Sequence, residues 1–466
     1  MCAMIPARSL GEVYCKAESV RNSHLKSFSD LIVADIYENA EQITQHVLSK
    51  KGNQRISFDQ KVDTLVTSKW LGYPLMILLL IGVLWITIEG ANAPSQLLAT
   101  GLFAFQDQLT LWFQWFGAPD WVHGVLVLGV YRTLAWVVAV MLPPMAIFFP
   151  LFTLLEDSGY LPRIAFNLDH IFKKAKACGK QSLTMCMGFG CNAAGVTSCR
   201  VIDSPRERLI AILTNNFVPC NGRFPTLIAI SAIFISGAMA TFSGLINAMV
   251  ITFIILLGVA LTLLVSWLLS MTILKGEPSA LVLELPSYRR PKIGAVIYRS
   301  IIDRTLFVLR RAIIVAAPAG AVIWILANVY VGEQNILSTV ANTLNPLGQL
   351  MGLDGFILMA FILGLPANEI VLPILIMSYL ATGTLQDFAS LGELRNILVL
   401  NGWTWLTAVS VMLLTLLHWP CGTTLLTVYK ETGSKKWVFL SFLIPTLIGF
   451  SVCFIFAQVV QFLGLV

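Results

Sequence analysis

Six apolar runs limit what this chain can fold into: Tyr73–Ile88, Val125–Met141, Leu245–Leu274, Ile313–Tyr330, Ile397–Leu417 and Trp437–Phe462. Each is at or near the length of about 20 residues that a helix needs to cross a bilayer. A transmembrane barrel would instead show alternating strands of about 10 residues. Only 12% of the 466 residues are charged and 57% are hydrophobic, against about 25% charged in a soluble domain. The chain therefore reads as an all-α polytopic membrane protein, with roughly eight to eleven spans once shorter apolar pieces are counted. Residues 1–70 are polar, of mixed charge, and lack the apolar segment of a signal peptide. The net charge of +6 sits in loops and serves topology, not nucleic-acid binding. The nine cysteines are odd in number and lack disulfide-like spacing, so most read as small buried residues.

Loop charges orient the spans. Lys50, Lys51, Arg55, Lys61 and Lys69 precede the first run, whereas Ala91 to Asp120 holds no Lys or Arg. The positive-inside rule then puts the N-terminus in the cytoplasm and that loop outside. The aromatic-rich stretch Leu102–Phe116 is expected to lie in the membrane interface. A basic inner loop follows, with Arg163, Lys173, Lys174, Lys176 and Lys180, and Lys275 to Arg311 is a second one, with "YRRPK" at its centre. Val331 to Gly355 reads as outside, "YKETGSKKW" (Tyr429 to Trp437) as inside, and the last span leaves the C-terminus outside.

Two regions share a plan, about Val125 to Ile235 and about Arg310 to Tyr429. Each opens with a Pro-bearing span (Pro143 and Pro144; Pro318) and closes with a Pro-Cys step, "VPCNGRFPT" (Val218–Thr226) or "WPCGTT" (Trp419–Thr424). The first begins outside and the second inside, the pattern of inverted repeats whose broken helices meet near the midplane. Prolines that only kink ordinary helices are the plainer alternative. Expected units are 1–70, a cytoplasmic helical segment; 71–124, the first span and external segment; and 125–274, the first repeat and following helix. Then come 275–308, a cytoplasmic linker; 309–436, the second repeat; and 437–466, the last span.

Ionisable and thiol groups inside such segments are costly and mark function. Glu369 stands between Pro366 and Pro373 in "LGLPANEIVLPI", where a broken helix would set free carbonyls beside its carboxylate. Cys191, Cys220 and Cys421 recur at broken segments, and thiolates favour Zn(II), Cu(I) and Fe(II) over Mg(II) and Ca(II). Asn192, Asn368 and Thr423 could add neutral oxygens. Glu156 and Asp157 could form a cation-attracting vestibule or a solvated helix end with Asp157 or Ser158 as cap. In "MCMGFGCNAAGVTSC" (Met185 to Cys199), Gly188, Gly190, Ala193, Ala194 and Gly195 let a broken helix pack tightly. Met185, Cys186, Met187 and Cys199 are then a softer second layer or plain packing. His418 is the one mid-membrane histidine, which argues against a His-rich zinc site. Enzyme motifs are missing: "CGKQS" (Cys178–Ser182) has Lys174 where a P-loop needs its first glycine and Gln181 where it needs Ser or Thr.

At these residues the chain resembles a known family. "LLEDSGYLPRIAFNLDHIF" (Leu154–Phe172), "GFGCN" (Gly188–Asn192), "DSPRERLIAIL" (Asp203–Leu213), "PCNGRFP" (Pro219–Pro225) and "PCGTTLLTVYKETGSKKW" (Pro420–Trp437) look like the membrane part of ferrous iron transport protein B, FeoB. "VADIYENAEQI" and "FDQKVDTLVTSKWLGYP" look like the segment leading into its first span. The resemblance implies two gate-type (nucleoside-recognition) repeats and Fe(II) uptake across a bacterial inner membrane. It implies pathway roles for Cys191, Cys220, Cys421 and Glu369, with no permanently bound cofactor. The family carries an N-terminal GTP-binding domain, which residues 1–70 have no room for. A separate GTP-binding protein, or none, is the expectation, and a homo-oligomer stays open. A nucleoside-like small-molecule transporter of the same repeat family, or transport of Mn(II), Zn(II) or Co(II), are the competing readings. A scaffold or partner subunit is a third. Proton competition for thiol and carboxylate predicts transport that weakens below about pH 6.

Overall fold

A computed structural model describes residues 28–47, 58–68, 70–236, 243–276, 292–385 and 391–464. Lys50, Lys51, Arg55, Lys69 and most of "YRRPK" lie outside these. Two helices open the described chain, α1 (Phe28–Val47) and α2 (Phe58–Val66). Seven of the described helices are long and apolar enough to cross a membrane. An eighth would be the pair α13 (Ile336–Leu350) and α14 (Gly355–Leu363), but it bends by 111° and turns back.

The first half runs α3 (Gly72–Trp115), α4 (Asp120–Asp157), α5 (Tyr160–Lys174), α6 (Gln181–Gly190) and α7 (Asn192–Ser198). It continues through α8 (Pro205–Thr214) and α9 (Phe224–Ser231) to α10 (Ser243–Met271). The second half repeats the plan. It comprises α11 (Ile293–Arg299), α12 (Phe307–Asn328), the α13–α14 bend, α15 (Val371–Leu380), α16 (Leu391–Leu400), α17 (Trp405–Leu417), α18 (Gly422–Thr432) and α19 (Lys435–Phe462). Entry helices α4 and α12 correspond, as do α5 with α13, α6 with α14, α7 with α15, α8 with α17, α9 with α18 and α10 with α19. Both entry helices begin with π-helical turns, Gly124–Tyr131 and Ser300–Leu306. They cross where Gly129 meets Gly320: a Cβ on Gly320 would lie 2.4 Å from the Gly129 carbonyl oxygen. Apolar burial drives little association between helices in lipid, so such close backbone contact is a main source of affinity.

Four expectations change. Pro143, Pro144 and Pro150 stay inside α4, and Pro318 inside α12; membrane helices tolerate proline because neighbours satisfy the freed backbone groups. Ala91 to Trp115 does not leave as a loop but continues α3 as one helix. At 44 residues it is about 66 Å long, twice the hydrocarbon thickness, so its end with Trp112 and Trp115, both exposed, reaches beyond a single crossing. The run Ile397–Leu417 is two helices, α16 and α17, split at Asn401–Thr404; the span is Trp405–Thr432. Arg163 does not sit in a basic loop. It is buried in amphipathic α5, ion-paired with Asp63 at 2.5 Å and donating to Gly159 O, which ties α2 to the bundle.

Candidate functional site

Each half contains two helix breaks, and the four meet at the centre. Cys191 separates α6 from α7 with extended backbone, φ −157°, ψ 126°. Ala367, between α14 and a short 3-10 turn at Asn368–Ile370, has φ −152°, ψ 119°. The second breaks match as well: Cys220 at φ −85°, ψ 168° and Cys421 at φ −64°, ψ 159°. Three of the four are preceded by proline (Pro219, Pro366, Pro420), whose missing N–H ends the incoming helix. The prolines that break helices are therefore not those in the entry spans. Each extended residue occupies the N-cap of the element that follows, where the helix dipole favours negative charge.

The breaks enclose a cavity of about 30 Å³ lined by Cys191, Asn192, Cys220, Asn368, Glu369, Cys421 and Thr423, with Met141, Met145 and Gly222. Each break contributes one thiol or carboxylate. Glu369 lies against Gly222 so closely that a Cβ there would sit 2.2 Å from its Oε1. Asn368 Nδ2 lies 3.9 Å from Cys220 Sγ, and its Oδ1 lies 3.2 Å from His418 Nε2. His418 Nδ1 faces the carbonyls of Leu414 and Thr415 at 3.0 and 2.9 Å. Cys421 Sγ pairs with Thr424 Oγ1 at 3.2 Å. Asn192, with its amide nitrogen turned to acceptors, donates to Val218 O (3.2 Å) and Gly188 O (3.3 Å), joining the two breaks of the first half. Among the described residues no three His, Cys, Asp or Glu side chains form a group that could hold a metal ion.

Glu156 and Asp157 are not in this cavity. They are exposed at the end of α4, and neither Asp157 nor Ser158 caps α5, which starts from Gly159 in a left-handed turn at φ 83°. Met185 and Cys186 line a separate apolar cavity of about 200 Å³, and Cys199 is fully buried with its Sγ on Gly195 O. Soft donors come instead from Met141 and Met145 on α4, a pair one turn apart that the sequence reading passed over although i, i+4 spacing was visible.

Arg223 was also missed. It is 1% exposed and donates to Asn216 O and Leu416 O at 2.8 Å, Asn216 Oδ1 at 2.9 Å, His418 O at 3.1 Å and Trp419 O at 3.4 Å. The guanidinium thus crosses from the first half to the carbonyl end of α17, where a cation complements the dipole. A lone Arg three residues after a Pro-Cys step was its signal.

On the basic face, α7 packs on α18, and Arg200 Nε and Nη2 donate to Glu431 Oε2 and Oε1, both at 2.8 Å. Lys180 pairs with Asp203 at 2.6 Å and holds its carboxyl below the usual range.

Comparison with known proteins agrees with this architecture. The nucleoside recognition (Gate) model matches twice, over residues 138–234 and 309–435, one match in each half. The ferrous iron transport protein B C-terminus model matches 251–303. It is 28% identical over 435 residues to a protein of Staphylococcus aureus (strain MSSA476) named Fe(2+) transporter FeoB, covering 90% of this chain and 62% of that one. The same name is borne by a Methanocaldococcus jannaschii relative, 27% identical over 438 residues with the same coverage. A Legionella pneumophila (strain Paris) relative, 28% identical, covers 78% of this chain and 49% of its own length. The chain thus spans less than two thirds of these relatives. No solved structure matches it.

Proposed function

We propose that this chain passes a divalent metal, Fe(II) foremost, across the cytoplasmic membrane of a bacterium through the cavity where the four breaks meet. The observation that carries this reading is the convergence of Cys191, Cys220, Cys421 and Glu369, one from each break, on a space of about 30 Å³. That space suits one water or one bare ion. Thiols and a thioether pair select borderline metals against Mg(II) and Ca(II). The relatives' name, Fe(2+) transporter FeoB, supports iron over Mn(II), Zn(II) or Co(II).

In this reading the N-terminus and the basic face are cytoplasmic, by the positive-inside rule. Partners are the lipid bilayer, with a separate GTP-binding protein and self-association both compatible. A nucleoside-like substrate is less well supported at the chamber itself, whose volume of about 30 Å³ falls well short of the roughly 300–1,000 Å³ of small-molecule pockets.

Proteoliposomes with an internal metal-quenched dye test the proposal, comparing Fe(II), Mn(II), Zn(II) and Co(II). Cys191→Ser, Cys220→Ser and Cys421→Ser should each reduce Fe(II) flux by about tenfold, a loss of about 1.4 kcal/mol of transition-state stabilisation. Full flux in all three variants, or nucleoside uptake that ignores metal, would overturn it.

A further inference from the structure

Beside the chamber lies a second, larger cavity of about 590 Å³ between α3, α4, α9 and α10. Its polar lining is Glu89, Asn92, Ser95, Asn221, Asn247 and Thr252. These groups stand within apolar helices, where facing lipid is costly, and they share the space with Ile81, Trp85, Val140, Phe224 and Ile251. Asn247 Oδ1 is shielded from solvent and has no hydrogen-bond partner among the described residues. Glu89 is the eighteenth residue of α3, about 26 Å from its start, which places the cavity toward the face opposite the basic one.

A single layer of residues separates the two spaces. Cys220 and Gly222 line the chamber, while Asn221 between them lines the larger cavity. On α4, Met141 and Met145 line the chamber, while Val140 and Pro144 line the larger cavity. Their sizes differ in a telling way. A divalent ion with six waters needs about 180 Å³ at 30 Å³ per water, which fits the large cavity and not the small one. Their donors differ too: the polar groups of the large cavity bring oxygen and no sulfur, the hard ligands that suit a hydrated ion; the small one adds three thiols and two thioethers to its oxygens.

We propose that this cavity is a loading site for a hydrated divalent cation, with Glu89 supplying the charge and Asn92, Asn221 and Asn247 the neutral oxygens, ahead of dehydration onto the thiols. The inference rests on the metal-permeation reading and adds a second binding site to it. In proteoliposomes, Glu89→Gln should raise the half-saturating Fe(II) concentration about tenfold while the maximal rate stays within about twofold. Glu89→Asp should restore most of the affinity, and added salt should weaken wild type more than Glu89→Gln. A lower maximal rate at unchanged half-saturation would mark Glu89 as structural and overturn the proposal.

A flux-independent measurement separates the two ideas. Mn(II) titration by electron paramagnetic resonance uses the full chain with Cys191, Cys220 and Cys421 changed to Ser. Binding should persist there and weaken about tenfold on adding Glu89→Gln. Equal Mn(II) binding with and without Glu89 overturns the loading site. Wild-type vesicles that carry no metal, alongside Glu89-dependent Mn(II) binding, would instead sink the permeation reading and leave the site standing.

Discussion

The two halves share a backbone and differ in chemistry. Cys191 and Ala367 have φ and ψ within a few degrees of each other, yet one carries a thiol and the other a methyl. Two residues further on, Ala193 in the first half corresponds to Glu369 in the second. Three residues after the paired cysteines, Arg223 corresponds to Thr424. The repeated fold therefore supplies geometry, four helix ends pointing at one place, and single substitutions at equivalent positions supply function. Symmetry of backbone with asymmetry of side chain gives a chamber with two thiols from the first half and a thiol with a carboxylate from the second.

Breaking the comparison at its most unequal pair should cost most. Arg223→Ala strips the carbonyls of Asn216, Leu416 and Trp419 of this donor, while His418 O keeps Asn216 Nδ2 at 2.7 Å, and should destabilise the protein by about 3–5 kcal/mol. Thr424→Ala removes only the contact with Cys421 and should cost about 1 kcal/mol. Thermal unfolding in detergent reads both, and equal losses would deny Arg223 its role between the halves.

The thiol can be moved across the pseudo-symmetry. Cys191→Ala should lower Fe(II) flux about tenfold, and adding Ala367→Cys, which lines the same chamber, should restore at least about a third of it. No recovery in a folded double variant would show that the matched backbones do not present equivalent side chains.

Close packing offers a milder contrast. Gly222→Ala would drive a methyl into Glu369 and should cost about 1–3 kcal/mol, with reduced flux. At the opposite break, Gly422→Ala meets Val315 Cγ1 at 3.2 Å and Leu365 O and Pro366 Cα at an ordinary 3.7 Å, and should cost under about 1 kcal/mol.

The smallest effect belongs to the exposed Asp203–Lys180 pair at the start of α8. The native carboxyl titrates lower than the unfolded value of about 3.9, because Lys180 bonds its charged form. Its contribution is present above that value and fades as pH falls through the native one. Asp203→Asn should leave the midpoint at pH 7 nearly unchanged and reduce its acid sensitivity below pH 4.

Legibility followed local chemistry. The Pro-Cys steps at Cys220 and Cys421, and Glu369 between its prolines, were readable because the break and the donor lie within a few residues. Met141, Met145 and Arg223 were not, because what makes them matter arrives from far along the chain: Arg223 meets Leu416 across 193 positions. Pro143, Pro144 and Pro318 misled for the reverse reason. Proline removes a hydrogen bond locally, but whether a helix stops depends on neighbours able to satisfy the freed carbonyls. Arg163 likewise read as loop charge until Asp63, 100 positions earlier, met it in the bundle.

The reach of Arg223 also bears on how the protein is made. An arginine near the middle of a membrane helix costs about 2.5–3.5 kcal/mol to insert, and in the finished fold three of its five acceptors belong to Leu416, His418 and Trp419. Those residues are synthesised after the whole of the first half. Until they arrive, Arg223 has only Asn216 at hand, so the first half must wait, wet or partly inserted, for its twin. Biogenesis of the two repeats is thus coupled: a nascent chain released before Trp419 should be a substrate for quality control and not a stable half.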